Sequence, residues 1–489
     1  TLLFLGNVFQ DRSTDNEQPA TNNEQRHIPL TPLRYLSFLL LLLPSIVFSQ
    51  ENSIADSLFR LLRTAKQDTH RVNLLNELAW ELKFDQPAQA HVYLDSAFEL
   101  ARSLRFTKGE GNIWNYRGVL EDIHGNREAA LSHFQKALEI RQSLGDQKGV
   151  AALHNNIGNL KENLGDYLGA LQSYQQSLKI REELRDTARI LRAYYNIAIV
   201  LESMGDYPEA LDHIFRYLEG VEASGDEEAV ANAWNVIGNI KTEVDRYGEA
   251  LQAYEKALAL HRKLDNDWQV SSVLNNIANL KDTEAEALMD KGILADSVHS
   301  KFQEALAVHE EALQIRLRLE DKSGQAEIFN NIGYVLKNLG SFYKKKGDVA
   351  LAQKTWADTE SYFQRSLHIR EEEGDKAGIM QVFNGIADVR RRQERYPEAL
   401  EYTNRYYQIA LEINDQKFQQ NALKDLARIH FKLGNHKLAY EYREAYDELR
   451  YARFTEARIK AEERREAVYS DRKKQQEIQR QEQELQLRD

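Results

Sequence analysis

The same short phrase returns along this chain at a nearly fixed spacing. It reads NNIGNL at Asn155–Leu160, NVIGNI at Asn235–Ile240, NNIANL at Asn275–Leu280 and NNIGYV at Asn330–Val335. A small residue sits inside it, and nine of these line up: Ala79, Gly118, Gly158, Ala198, Gly238, Ala278, Gly333, Ala387 and Ala427. Their separations, read from the numbering, are 39, 40, 40, 40, 40, 55, 54 and 40 residues. A unit of this size cannot bury its apolar face alone. Stacking on its neighbours does so, and the period therefore commits the chain to a solenoid.

Each unit reads as two amphipathic helices. Within 150–184, Ala151, His154, Ile157, Gly158, Leu160 and Lys161 follow an i, i+3, i+4 rhythm, and Ala170, Leu171, Tyr174, Leu178 and Ile180 repeat it after a break at Gly165-Asp166. Glycine just past a helix supplies a left-handed C-cap, and the Asp after it can cap the next helix. Pro208 and Pro397, each in the phrase YPEAL, fit the first turn of a second helix. Glycine inside a helix costs roughly 1 kcal/mol, so its recurrence needs a packing reason. A close helix crossing, with a large residue such as Phe134, Tyr174 or Tyr254 filling the space beside it, is that reason.

These residues resemble a tetratricopeptide repeat array. The family's small positions fall on Gly118, Ala130 and Ala137, on Gly158, Ala170 and Ser177, and on Gly238, Ala250 and Ala257. Its large aromatic falls on Phe134, Tyr174 and Tyr254, and its Trp on Trp114 and Trp234 only. The family period is about 34 residues. The longer unit here resembles those of kinesin light chain, of partner-of-inscuteable adaptors and of exported bacterial (Bacteroidetes-type) sensor proteins. The resemblance implies an all-α, right-handed solenoid of about nine helix pairs over residues 56–447, followed by a long charged helix at 448–489 that is either a solvated cap or a weak coiled coil. The long spacings place extra residues near Thr283–Ser300 and Phe342–Trp356, read as helix extensions of about two turns that project from one edge. They are either drift in loop length or a docking fin.

Composition narrows the function classes. The net charge is −12, and Lys and Arg are spread over both helices of each unit, which argues against nucleic acid as the main partner. With no cysteine, thiolate catalysis, Cys-ligated zinc and disulfides are excluded. No Met precedes Met204, so residues 1–32 form an unpatterned leader that either lacks its natural start or has a misassigned one. Arg34, the short apolar run Leu36–Phe48 and Ser49 read as a signal peptide at 33–49, with an uncleaved anchor or a buried helix as alternatives, and the first reading implies an exported protein, periplasmic or membrane-associated and facing the periplasm. The resemblance to exported repeat arrays also implies a membrane tether or a signalling domain beyond Asp489, and the C-terminal helix offers a route to a dimer.

Motifs for chemistry are missing. GxxxxGK[ST], HExxH and GxSxG do not occur, and the histidines are dispersed, so neither an enzyme, a metal site nor a cofactor is expected. Glu182-Glu183 and Glu371-Glu372-Glu373 fall on solvated helix faces by period. What stands out is an asparagine ladder. Three residues before each small residue stand Asn76, Asn115, Asn155, Asn235, Asn275, Asn330 and Asn384, a series broken only by Tyr195 and Lys424. Asn156, Asn196, Asn276 and Asn331 follow directly, and Asn159, Asn239 and Asn279 lie one turn on. Asparagine is a mediocre helix former, so its place on the first helix of so many units calls for a role. In tetratricopeptide arrays that helix lines the concave face. The amides there either hold an extended peptide backbone or tie one unit to the next. The expected function is a peptide- or protein-binding scaffold or sensor. Alternatives are the extracytoplasmic sensory part of a transmembrane histidine kinase or nucleotide cyclase, and a cytoplasmic adaptor.

Overall fold

The computed structural model describes residues 54–453 and isolated positions at 455, 459, 462, 473 and 480. The leader, the signal peptide and nearly all of the charged tail therefore lie outside the described residues. The described chain is an all-α solenoid without strands. After α1 (Ile54–Thr64) the helices pair: α2 (Thr69–Glu81) with α3 (Pro87–Ser103), α4 (Thr107–Ile123) with α5 (Arg127–Ser143), α6 (Gln147–Asn163) with α7 (Tyr167–Glu183) and α8 (Thr187–Ser203) with α9 (Tyr207–Ser224). The series continues with α10 (Glu227–Glu243) and α11 (Tyr247–Lys263), α12 (Asp267–Asp290) and α13 (Asp296–Arg318), α14 (Lys322–Lys346) and α15 (Val349–Glu373), and α16 (Lys376–Arg392) and α17 (Tyr396–Glu412). The ninth pair is α18 (Gln416–Lys432) with α19 over residues 436–453. First helices of successive pairs also approach one another, as α2 does α4, α10 does α12 and α12 does α14, whereas second helices make no comparable approach. The layer with the shorter spacing is the inside of the curve, so the first helices line the concave face.

Gly and an aromatic ring set the crossing within a pair. A β-carbon added at Gly118, Gly158, Gly238 or Gly333 would meet the ring of Phe134, Tyr174, Tyr254 or Phe363 at about 2.5 Å. Where the small residue is Ala, the partner position carries a smaller or non-phenyl group: Leu94 for Ala79, Ile214 for Ala198, His309 for Ala278 and Thr403 for Ala387. All four are buried. One methyl gained on one helix is matched by bulk lost on the other, as close packing requires. In the last pair Arg443 stands opposite Ala427, no ring fills the crossing, and a cavity of about 820 Å³ remains, lined by Ala427, Phe431, Ala439, Tyr440 and Arg443 among others.

A second device joins one pair to the next. Arg141, Arg181, Arg316 and Arg370, in the last turn of a second helix, bridge Asp146, Asp186, Asp321 and Asp375 at 2.8, 2.9, 2.6 and 2.6 Å. Three of those aspartates also cap the following helix, accepting from the amides of Gly149, Gly324 and Gly378. The Gly-Asp breaks behave as expected, with Gly145, Gly165 and Gly374 at φ 66°, 74° and 68°.

The two long spacings are helix extensions. α12 to α15 run 24, 23, 25 and 25 residues against 17 for most others. Their extra turns build a core of their own from Ala285, Met289, Val298, Phe302, Leu339 and Phe342. Gly340 against Trp356 adds a further close crossing, and the indole donates to the Lys337 carbonyl at 3.1 Å.

His309 is fully buried, and neither ring nitrogen has a partner. Burial pushes its pKa down from 6.5 to about 3. The imidazole is neutral in both states at high pH. Below 6.5 the unfolded chain takes up a proton that the folded chain refuses, so stability is lost as pH falls from 6.5 toward 3, by about 2 kcal/mol at pH 5. His309→Phe restores the ring used in other units. Hydrogen exchange of α12–α14 should show the drop in protection between pH 8 and pH 5 shrinking by about that amount. An unchanged drop contradicts the assignment.

Candidate functional site

Residues 155, 159 and 162 lie at i, i+4 and i+7 on α6 and so share one helix face. Every first helix repeats this stripe, which places three columns along the concave layer. The first column is the asparagine ladder. Asn76, Asn275 and Asn330 are buried. Asn115, Asn155, Asn235 and Asn384 are half-buried. In the second column Asn239 and Asn279 are half-buried and Asn159 is exposed.

The ladder is tied together side chain to side chain rather than to neighbouring backbone. The amide nitrogens of Asn156, Asn196, Asn276 and Asn331 donate to the Oδ1 of Asn115, Asn155, Asn235 and Asn275 at 2.9, 3.0, 3.0 and 3.0 Å. Each bond runs from the second Asn of one unit to the first Asn of the unit before it. The rule also shows where the ladder is open. The donor position after Asn76 is Tyr116 and that after Asn330 is Gly385. Asn76 has neither atom paired, and the Oδ1 of Asn330 lacks a donor. Asn275 also donates to Glu327 at 2.9 Å, and Asn384 donates to the Tyr334 hydroxyl at 3.3 Å. In the second column Asn159 and Asn239 accept from the hydroxyls of Tyr174 and Tyr254 at 2.7 and 2.8 Å, which links the groove to the crossing rings.

The third column, four residues after each small residue, was not read from the sequence. It starts at Lys83, runs Asp122, Glu162, Glu202, Thr242 and Asp282, changes sign at Lys337 and Arg391 and ends at Phe431. Burial, and then the charge of Glu243, pushes the Glu202 carboxyl up to about 7. Burial pushes Asp282 up to about 7, although the Asn338 amide donates to both its oxygens at 3.1 and 3.2 Å. At the basic end Asp388 is half-buried, yet Lys337, Arg392 and Arg391 hold it well below the usual carboxylate range. Charges that look scattered along the sequence are therefore sorted by the fold into an acidic stretch over α4–α12 and a basic stretch over α14–α16.

Models of the tetratricopeptide repeat match residues 149–223, 338–412 and 230–264, and that of anaphase-promoting complex subunit 5 matches 388–450. The chain is a tetratricopeptide repeat protein. Outer dynein arm-docking complex subunit 4 of Danio rerio is 26% identical to it over 178 residues, 36% of this chain. The match spans 32% of that relative's length. Among solved structures, the apo form of the quorum sensor NprR from B. thuringiensis is 14% identical with a TM-score of 0.50, over 74% of this chain and 92% of that one. BtubC (BKLC) from P. vanneervenii is 25% identical with a TM-score of 0.37, over 51% and 92% of the two chains. The likeness to NprR is one of fold.

The paired asparagines carry structural weight. Changing Asn155, Asn235 and Asn275 to Ala together removes three interunit acceptors and strands their donors. The expected cost is about 0.5–1.5 kcal/mol per site, read as a lower melting temperature. A triple variant that melts with the wild type contradicts the ladder.

Proposed function

We propose that the concave face binds an extended peptide, or an unstructured segment of a protein partner, and that the chain works as a binding scaffold rather than a catalyst. Glu202 carries the reading. It faces Glu243, no described cation pairs with it, and its charge is suppressed in the free protein. A cationic side chain laid beside it relieves both the repulsion and the desolvation. Lys337 and Arg391 already pair with Asp388 and Asp425, so the acidic stretch decides the charge the ligand carries. The ligand this groove suits therefore carries basic side chains, with Asn159, Asn239 and Asn279 placed to hydrogen-bond its backbone. In a sensor of this design, ligand bound across several units alters their mutual angle, and α19 passes the change toward the C-terminus.

The test begins with peptides selected on the wild-type chain from a random dodecapeptide display library. Changing Asn159, Asn239 and Asn279 to Ala should weaken them by roughly tenfold or more at low salt, at a bond value of about 0.5–1.5 kcal/mol each. The melting temperature should change little, because Tyr174 keeps Glu162 as a partner and Tyr254 keeps Thr242. Selected peptides that ignore the triple change contradict the reading.

A further inference from the structure

The last helix pair departs from the other eight at three positions. Arg443 stands where every other crossing carries a buried side chain. Lys424 takes the place that holds Asn in seven units, and Phe431 takes one that is charged or hydroxyl-bearing in every other unit. The result is the open crossing of about 820 Å³, bounded by the end of α16, the start of α17, α18 and the start of α19. Pockets for small molecules run to about 300–1,000 Å³, so the space is of that class. Phe431 and Tyr440 line it while 60% and 63% exposed, which is unusual for rings of this size. The charge around the opening is one-sided. The whole chain carries −12, yet no carboxylate is among the described residues that line the cavity. Lys424, Arg428 and Lys432 follow at i, i+4 and i+8 and form a cationic row along α18. Arg391 and Arg443 also line the space, but Arg391 is held by Asp388 and Asp425, and Arg443 pairs with Asp447 at 2.9 Å. Arg428 reaches Asp425 only at 4.0 Å, and Lys424 and Lys432 make no ion pair among the described residues.

We propose that this open crossing is a second binding site, separate from the peptide groove, and that it takes a small aromatic carboxylate. The ligand's ring fills the place of the missing side chain, against Ala427 and Ala439, and its carboxylate meets the row Lys424, Arg428 and Lys432. Two features select this chemistry together. Phe431 and Tyr440 offer ring faces and edges to an aromatic body, which pairs with them at offset or edge-on angles. The cationic row offers charge-assisted hydrogen bonds to a carboxylate, and it lies beside apolar surface that excludes part of the water. An inorganic anion would leave the two rings in water. A cationic aromatic would be repelled by the row, and a neutral one would leave it unanswered. The same size exchange that closes the other crossings therefore makes room for a ligand at this one.

The site is tested on the full chain by calorimetric titration with 2-naphthaleneacetate, beside its neutral analogue 2-naphthaleneacetamide. The wild type is expected to bind the acid saturably below about 1 mM and the amide at least about tenfold more weakly. Lys424→Glu combined with Lys432→Glu reverses two charges that serve no ion pair. Its melting temperature should hold while affinity for the acid falls at least about tenfold. Arg443→Phe supplies the ring that Phe134 provides at the Gly118 crossing. It is expected to melt at or above the wild-type temperature and to lose the acid. The charge-reversed variant leaves the crossing untouched, so it decides the matter even where Arg443→Phe does not fold. No saturable binding up to about 1 mM, equal affinity for acid and amide, or undiminished binding by either folded variant overturns the proposal.

Discussion

The structure depends on how closely two helices can approach at one point. At Gly158 the absence of a β-carbon lets the Tyr174 ring lie against the backbone of α6, and the same contact recurs at Gly118, Gly238 and Gly333. The contact fixes depth and rotation together, so each first helix turns the same face inward. Units with Ala reach a comparable fit with Leu94, Ile214 or Thr403. Where the exchange fails, at Ala427 and Arg443, the crossing stays open. Once the crossing is set, the Arg–Asp bridge and the cap on the following Gly set the step to the next pair.

The inner surface follows from that regularity. Because successive first helices are in register, an Asn at one position meets the next residue of the following unit, and a row of amides satisfies itself. Buried polar groups are expected to be paired, so the two places where a ladder amide is left unpaired are informative. Tyr116 and Gly385 interrupt it, and Asn76 and Asn330 are left with open valences. The same register gathers Glu202, Asp282, Lys337 and Arg391 into one column.

The fold was legible in the chain because a repeated small residue at a repeated spacing leaves few alternatives. The longer units were legible too, since Glu284–Leu288 and Ala350–Lys354 read as helix and form helix. The ladder was visible as a pattern, but its bonding was not, because the partner sits one residue further along in another unit and only the alignment of neighbouring helices reveals the offset. His309 was missed for a related reason. The extensions of α12 and α13 shift it out of the regular numbering, so its equivalence to Tyr254 appears only when the flanking Ala305 and Ala312 are matched to Ala250 and Ala257. The charge column was hidden because its members are separated by about a full unit.

The account is tested most directly at one crossing, by a double-mutant cycle on Gly238 and Tyr254. With Tyr254 in place, Gly238→Ala should destabilise the array, because the new methyl meets a ring that cannot retreat. With Tyr254→Ile, the combination found naturally at Ala198 and Ile214, the same change should become neutral or stabilising, since Ala favours a helix over Gly by about 1 kcal/mol. The result predicted is a coupling of about 1 kcal/mol or more between the two sites. Effects that add within about 0.5 kcal/mol would contradict the claim that the size exchange between facing helices holds this solenoid in register.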